Sequence, residues 1–71
     1  MKTITITTYP SMPDRFRVVC VEPGKRDMAR DAQDAGEAAA VALNYATGSY
    51  VIVGIGSALS MIPQELRHKS S

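Results

Sequence analysis

The stretch Asp34-Ala-Gly-Glu-Ala-Ala-Ala-Val-Ala-Leu-Asn-Tyr-Ala-Thr-Gly48 is the one segment of this chain whose pattern demands a helix, and every other segment has to be arranged around it. Asp34 is suited to the N-cap, where its carboxylate accepts from free backbone N–H groups of the first turn. Glu37 follows three residues later and can reach back to the Asp34 N–H, which completes a capping box. Both charges favour the positive end of the helix dipole. Gly48 supplies the stop, because glycine enters the left-handed conformation without strain. Between the caps Ala35, Ala38, Ala39, Ala42 and Ala46 recur at helical spacing, with Val41, Leu43 and Tyr45 adding bulk. A face of small side chains lets a helix lie close against a sheet; docking of that face into a partner is the alternative use.

What flanks the helix has the period of strands. Lys2 to Thr8 alternates Thr and Ile, with Ile4 and Ile6 on one face and Thr3, Thr5 and Thr7 on the other. Tyr9-Pro-Ser-Met-Pro13 breaks that strand, since two prolines do not fit a central ladder, and Asp14 and Arg15 complete a longish connection. Phe16 to Val21 forms the second strand of an antiparallel hairpin, with Phe16, Val18 and Cys20 sharing a face. Glu22-Pro-Gly-Lys25 has Pro23 and Gly24 at the central positions of a type II turn. Lys25 to Arg30 reads as a short charged edge strand, whose charge discourages unwanted pairing. After the helix, Ser49 to Val53 is a β-branched run suited to a central position. Gly54 to Ser57 reads as a hairpin turn and Ala58 to Ile62 as a last strand, with Leu59 and Met61 on one face. Pro63 can open a helical turn through Arg67 that folds Leu66 inward, and His68 to Ser71 reads as a frayed tail. The order β-β-(β)-α-β-β predicts a single α+β domain over residues 1–71: a small antiparallel sheet of four to five strands packed against one α-helix.

Composition narrows the function classes. A chain of 71 residues makes one small domain with a modest core. Cys20 is its only cysteine and His68 its only histidine, so neither an intrachain disulfide nor a Cys/His metal cluster can be assembled. The single cysteine fits a reducing, intracellular setting. The opening Met-Lys-Thr-Ile-Thr-Ile-Thr-Thr lacks the sustained apolar core of a signal peptide, and no apolar run approaches a membrane-spanning length. A net charge of +1 speaks against a dedicated nucleic-acid binder, which carries a basic excess.

No constellation spells out catalysis. Gly54-Ile-Gly56 lacks the third glycine of a phosphate-binding turn, and the strand expected after it supplies no helix N-terminus. Asp27, Asp31, Asp34 and Glu37 could attract a hard cation, but two of them cap the helix, and Arg26 and Arg30 interleave with the rest. Cys20 shares a face with Phe16 and Val18 and reads as a buried structural thiol. His68 offers no base for a serine or cysteine nucleophile. The arginines and lysines, with Tyr9, Tyr45 and Tyr50, could serve nucleic acid. The balanced charge favours a protein interface, where Arg and Tyr are enriched at hot spots. The expectation is a protein that is not an enzyme and has no catalytic residues, metal or cofactor.

Several segments, in order, resemble the small phage-encoded anti-CRISPR proteins that inhibit the type I-F CRISPR system. They are Phe16-Arg-Val-Val-Cys-Val-Glu22, Gly24-Lys25, Asp34-Ala-Gly-Glu-Ala-Ala-Ala40, Ser49-Tyr-Val-Ile-Val-Gly54 and Leu59-Ser-Met-Ile-Pro-Gln-Glu-Leu-Arg67. The ending Ile62-Pro-Gln-Glu-Leu-Arg67 is the most specific of them. The resembling family is longer at the N-terminus and after Glu22, has proline in place of Ala35, and extends the helix beyond Leu43. The resemblance implies a stoichiometric inhibitor in the bacterial host cytoplasm, encoded by a phage or mobile element. It would bind a type I surveillance complex, with the large subunit as the expected site. It would block target-DNA engagement or recruitment of the helicase–nuclease. The candidate partner-binding residues are Lys25, Arg26, Asp27 and Arg30, with Tyr45 and Arg67 added, because a core does not need these side chains. The chain would be a monomer or weak dimer, with no membrane and no direct nucleic-acid partner. Two other classes stay open: a small phage nucleic-acid-binding regulator, and an antitoxin-like partner-binding module.

Overall fold

Alternating Thr and Ile produce the central strand of the fold, β1 (Lys2–Tyr9), whose Ile4 and Ile6 are fully buried while Thr7 is exposed. The structure is a computed structural model of the chain and describes residues 1–70. β2 (Met12–Val21) pairs antiparallel with β1, and β3 (Met28–Ala32) pairs antiparallel with β2. The helix α1 (Ala35–Tyr45) crosses one face of the sheet and delivers β4 (Tyr50–Gly54) parallel to β1. A short helix α2 (Gly56–Leu59) and a 3-10 turn (Gln64–Leu66) lead to β5 (His68–Lys69), antiparallel to β4. The strand order is β3-β2-β1-β4-β5. The architecture is α+β, a five-stranded sheet against one main helix.

The sheet is mixed rather than wholly antiparallel. Two hairpin connections leave β3 running parallel to β1. A helix that leaves β3 and recrosses the sheet returns the chain in that same direction, so β4 joins β1 as a parallel neighbour. β4 lies between β1 and β5, in keeping with its β-branched run.

The hairpin between β1 and β2 is tighter than its prolines suggest. Tyr9 pairs with Met12, leaving only Pro10 and Ser11 in the turn. β2 starts at Met12, not Phe16, and takes Pro13 into the strand. The ladder jumps from Thr8↔Phe16 to Tyr9↔Met12, so Pro13, Asp14 and Arg15 bulge out opposite a single step of β1. An irregularity of this kind is where a strand tolerates proline.

The capping of α1 follows the sequence with two adjustments. Asp34 Oδ1 accepts from the Glu37 N–H at 2.7 Å, as a capping box requires. Glu37 Oε1 accepts from the Gln33 N–H at 3.3 Å, one residue upstream of the expected Asp34 donor. The helix ends at Tyr45, and Gly48, with φ +68°, makes the left-handed turn only after Ala46 and Thr47. Ala38, Ala39, Val41 and Ala42 face the sheet and are buried. They meet Ile4, Ile6, Phe16, Val18, Cys20 and Ile52 in one core.

The segment after β4 departs most from expectation. Residues 58–62, read as a strand, instead form the end of α2 and the turn after it. Gly54 (φ +145°) is held against β1, where a Cβ would collide with the Ile6 carbonyl oxygen, and the Ile55 N–H donates to that oxygen at 3.2 Å. The ladder ends there and the chain rises off the sheet, so Gly54–Ser57 is no hairpin turn. Ala58 and Ile62 are fully buried four residues apart, a helical interval rather than a strand one. Met61 is 58% exposed and Leu66 41% exposed; neither folds inward. His68 and Lys69, expected in a frayed tail, pair with Val51 and Tyr50; Ser71 of that tail lies outside the described residues.

Candidate partner-binding surface

The turn after β2 forms as its sequence dictates. The Lys25 N–H donates to the Glu22 carbonyl at 3.1 Å, and Gly24 at φ +80° takes the left-handed position of a type II turn. Lys25 Nζ lies 3.8 Å from Glu22 Oε1, an exposed pair that contributes little to stability. Arg26 and Asp27 carry the chain to β3, which spans Met28–Ala32 rather than 25–30. The shift places Arg30 at the middle of the strand and leaves Lys25, Arg26 and Asp27 in the approach to it. All four side chains are exposed. β3 is the outer strand of the sheet, so these residues line one continuous edge.

Tyr45 and Arg67 do not join that edge as freely. Tyr45 is half-buried against the core, and its carbonyl accepts from Lys2 Nζ at 2.9 Å. The same ammonium donates to the Thr47 carbonyl at 3.3 Å and to Thr47 Oγ1 at 2.9 Å. A lysine on the first strand thus neutralises the negative end of α1. Beyond Tyr45, Thr47 and Gly48 share with Lys25 an open depression of about 390 Å³, so the end of α1 borders the charged turn. Arg67 belongs to the other side of the molecule. Its Nε donates to the Ile62 carbonyl at 2.9 Å and its own carbonyl accepts from the Ile52 N–H at 2.6 Å. It ties the chain leading into β5 to β4, at the sheet edge opposite β3.

A polar cluster that sequence reading did not assemble sits on the sheet face away from α1. Tyr9 Oη donates to Asp31 Oδ1 at 2.5 Å, across β2. Arg17 lies directly opposite Asp31 in the β2–β3 ladder. The hydrogen bond to Asp31 holds the Tyr9 hydroxyl above its ordinary value of 10.0, with Arg17 opposing the shift. Only the alternation of strand faces, once the register is known, brings these residues together. A second open depression, about 530 Å³, lies by the hairpin between Ser11–Arg15 and Gln33.

Cys20 is buried, and burial pushes its thiol above the ordinary value. Its burial follows from the strand face it shares with Phe16 and Val18. Among the described residues no group of three or more His, Cys, Asp or Glu side chains is placed to hold a metal ion. No described helix is long and apolar enough to cross a membrane. Comparison with known protein families finds none that matches the chain, and no curated protein matches it either.

Proposed function

We propose that the protein acts by stoichiometric binding, as an anti-CRISPR inhibitor. It docks its charged β3 edge on a type I CRISPR surveillance complex and blocks target-DNA engagement or helicase–nuclease recruitment. The target comes from the sequence resemblance. The observation that carries the binding mode is the exposure of Lys25, Arg26, Asp27 and Arg30 along one outer edge. Within the described residues no hydrogen bond or ion pair engages the side chains of Arg26, Asp27 or Arg30. Arginines free of internal partners cost the fold nothing when a partner takes them. Occlusion of a large complex needs a rigid surface of about 800 Å² on each side.

The test is co-migration on size-exclusion chromatography with type I surveillance complexes, with and without bound target DNA. Binding to the empty complex with loss of DNA uptake identifies a blocked DNA path. Binding confined to the DNA-loaded complex identifies blocked nuclease recruitment. The double variant Arg26→Ala/Arg30→Ala is expected to stay folded and to weaken the complex about tenfold or more. Undiminished inhibition by that variant removes the edge from the interface, and absence of binding to every type I complex removes the proposed target.

A further inference from the structure

We propose that the sheet face turned away from α1 is a self-association surface, on which two copies of this chain stack face to face about a two-fold axis. A sheet with one face on the core normally turns polar side chains to solvent on the other. Here the middle of the outer face does not follow that rule. The registers Val21↔Thr3↔Val51 and Val19↔Thr5↔Val53 place two rows side by side, each Val-Thr-Val across β2, β1 and β4. All six are β-branched and none is charged, in a chain whose charged fraction is 21%. Val21 and Val53 are each 42% exposed and the other four half-buried. Charged and titratable side chains appear only toward the margin, in Arg17 and Asp31 with Tyr9 on the β3 side and in His68 beside Val51 on the β5 side. A centre without charge inside a charged rim matches the depletion of charged residues at the core of a protein interface.

The pattern also selects the occupant. The two rows read the same from β2 to β4 as from β4 to β2. A two-fold axis running along β1 therefore sets Val over Val and Thr over Thr, in the sheet-on-sheet geometry of a sandwich. β2 and its copy fall on opposite sides of that axis, so the Arg17–Asp31 margins do not meet each other. The broad faces of the molecule measure 35 × 26 Å, so the roughly 800 Å² per partner of a standard interface takes in nearly the whole face, rim included.

The competing route to a dimer, edge pairing through β3, is obstructed. A two-fold antiparallel pair matches residues of the same sheet face. A register centred on Met28 opposes Arg26 to Arg30, and one centred on Ala29 opposes Asp27 to Asp31. Centring on Arg30 or Asp31 opposes that residue to itself. Like charges directly opposite destabilise a ladder, and charge of this kind is how edges avoid pairing.

Sedimentation over micromolar to millimolar concentrations decides the proposal. The average mass should rise from 7.6 kDa toward twice that value. Val53→Lys should raise the dissociation constant at least about tenfold, since stacking would bury an unpaired charge. Met61→Lys, on the α1 side beside Gly36, should leave it unchanged. Amide shifts of the unaltered protein on dilution keep the question open to test even if Val53→Lys fails to fold. They should move at Thr3, Thr5, Val19 and Val51 and stay still at Met28–Ala32. A monomer at every concentration, or shifts confined to β3, overturns the proposal.

Discussion

The side chains that tune this protein's response to solvent are few, and their effects have definite signs. Tyr9 donates to Asp31, which holds its hydroxyl above 10.0. A group whose folded value is raised adds stability that is complete below its unfolded value and is lost as pH climbs through the folded one. The loss therefore falls on the alkaline side, above about pH 10. Tyr9→Phe should flatten this part of the stability profile by lowering stability below about pH 10 toward its alkaline level, as measured by urea unfolding at a series of pH values. Cys20 adds a loss of the same sign as pH rises past the ordinary thiol range, because burial raises it too. Of the two, the burial of Cys20 was legible in the sequence and the Tyr9–Asp31 pair was not. Tyr9 and Asp31 are 22 positions apart and meet only because β2 separates their strands by one place. Lys2 is a similar case: its role as a cap for α1 depends on where the helix ends above β1.

Among the elements, the helix and the first two strands were readable because their signals are local. A cap, an alanine period and an alternation of Thr and Ile all act within one or two turns of chain. The region after β4 reads as a strand in the sequence because an apolar run of about five residues fits strand and helix equally. The decision lay in a contact. Gly54 presses on the Ile6 carbonyl, ends the parallel ladder and lifts the chain away, and α2 then buries Ala58 and Ile62. Gly54→Ala should therefore destabilise by about 3 kcal/mol, the scale of a backbone clash combined with a conformation reserved for glycine. Thermal or urea denaturation would measure it; a loss below about 0.5 kcal/mol, the scatter of an ordinary surface change, would mean the β4 exit is not fixed at this glycine. The sequence pattern sets β3 two or three residues early for a related reason. Its boundaries are set by pairing with Phe16 through Cys20, and charged residues carry little strand signal of their own.

For the whole molecule, one core ties β1 to β4, α1 and α2 together, and β5 is attached through its ladder to β4. The radius of gyration is 11.4 Å, close to the about 11 Å that a compact domain of this length has. Since α1, α2 and the sheet share a single cluster of buried side chains, unfolding should be one cooperative step. Far-ultraviolet circular dichroism and tyrosine fluorescence should give coincident urea transitions; separated transitions would reveal a β4–β5 unit that opens alone. The two functional surfaces fall on different parts of this body. The charged β3 edge is the proposed site for a foreign partner, and the uncharged middle of the outer sheet face the proposed site for a second copy. A dimer through the face would leave both β3 edges open.

The sequence alone determined the class of the fold: one capped helix, strands with period two, and a single small core. It also determined the charged turn at Glu22–Lys25, because Pro23 and Gly24 select their own backbone angles. Only the tertiary structure decided that β4 runs parallel to β1, that Gly54 ends it, and that Arg67 sits at the far edge from Arg30. It likewise decided that four valines and two threonines form one bare surface. The physical reason is the range of the forces. Caps, turns and periodicities act between neighbours in the chain, whereas register and strand order depend on which distant segments come to share a face.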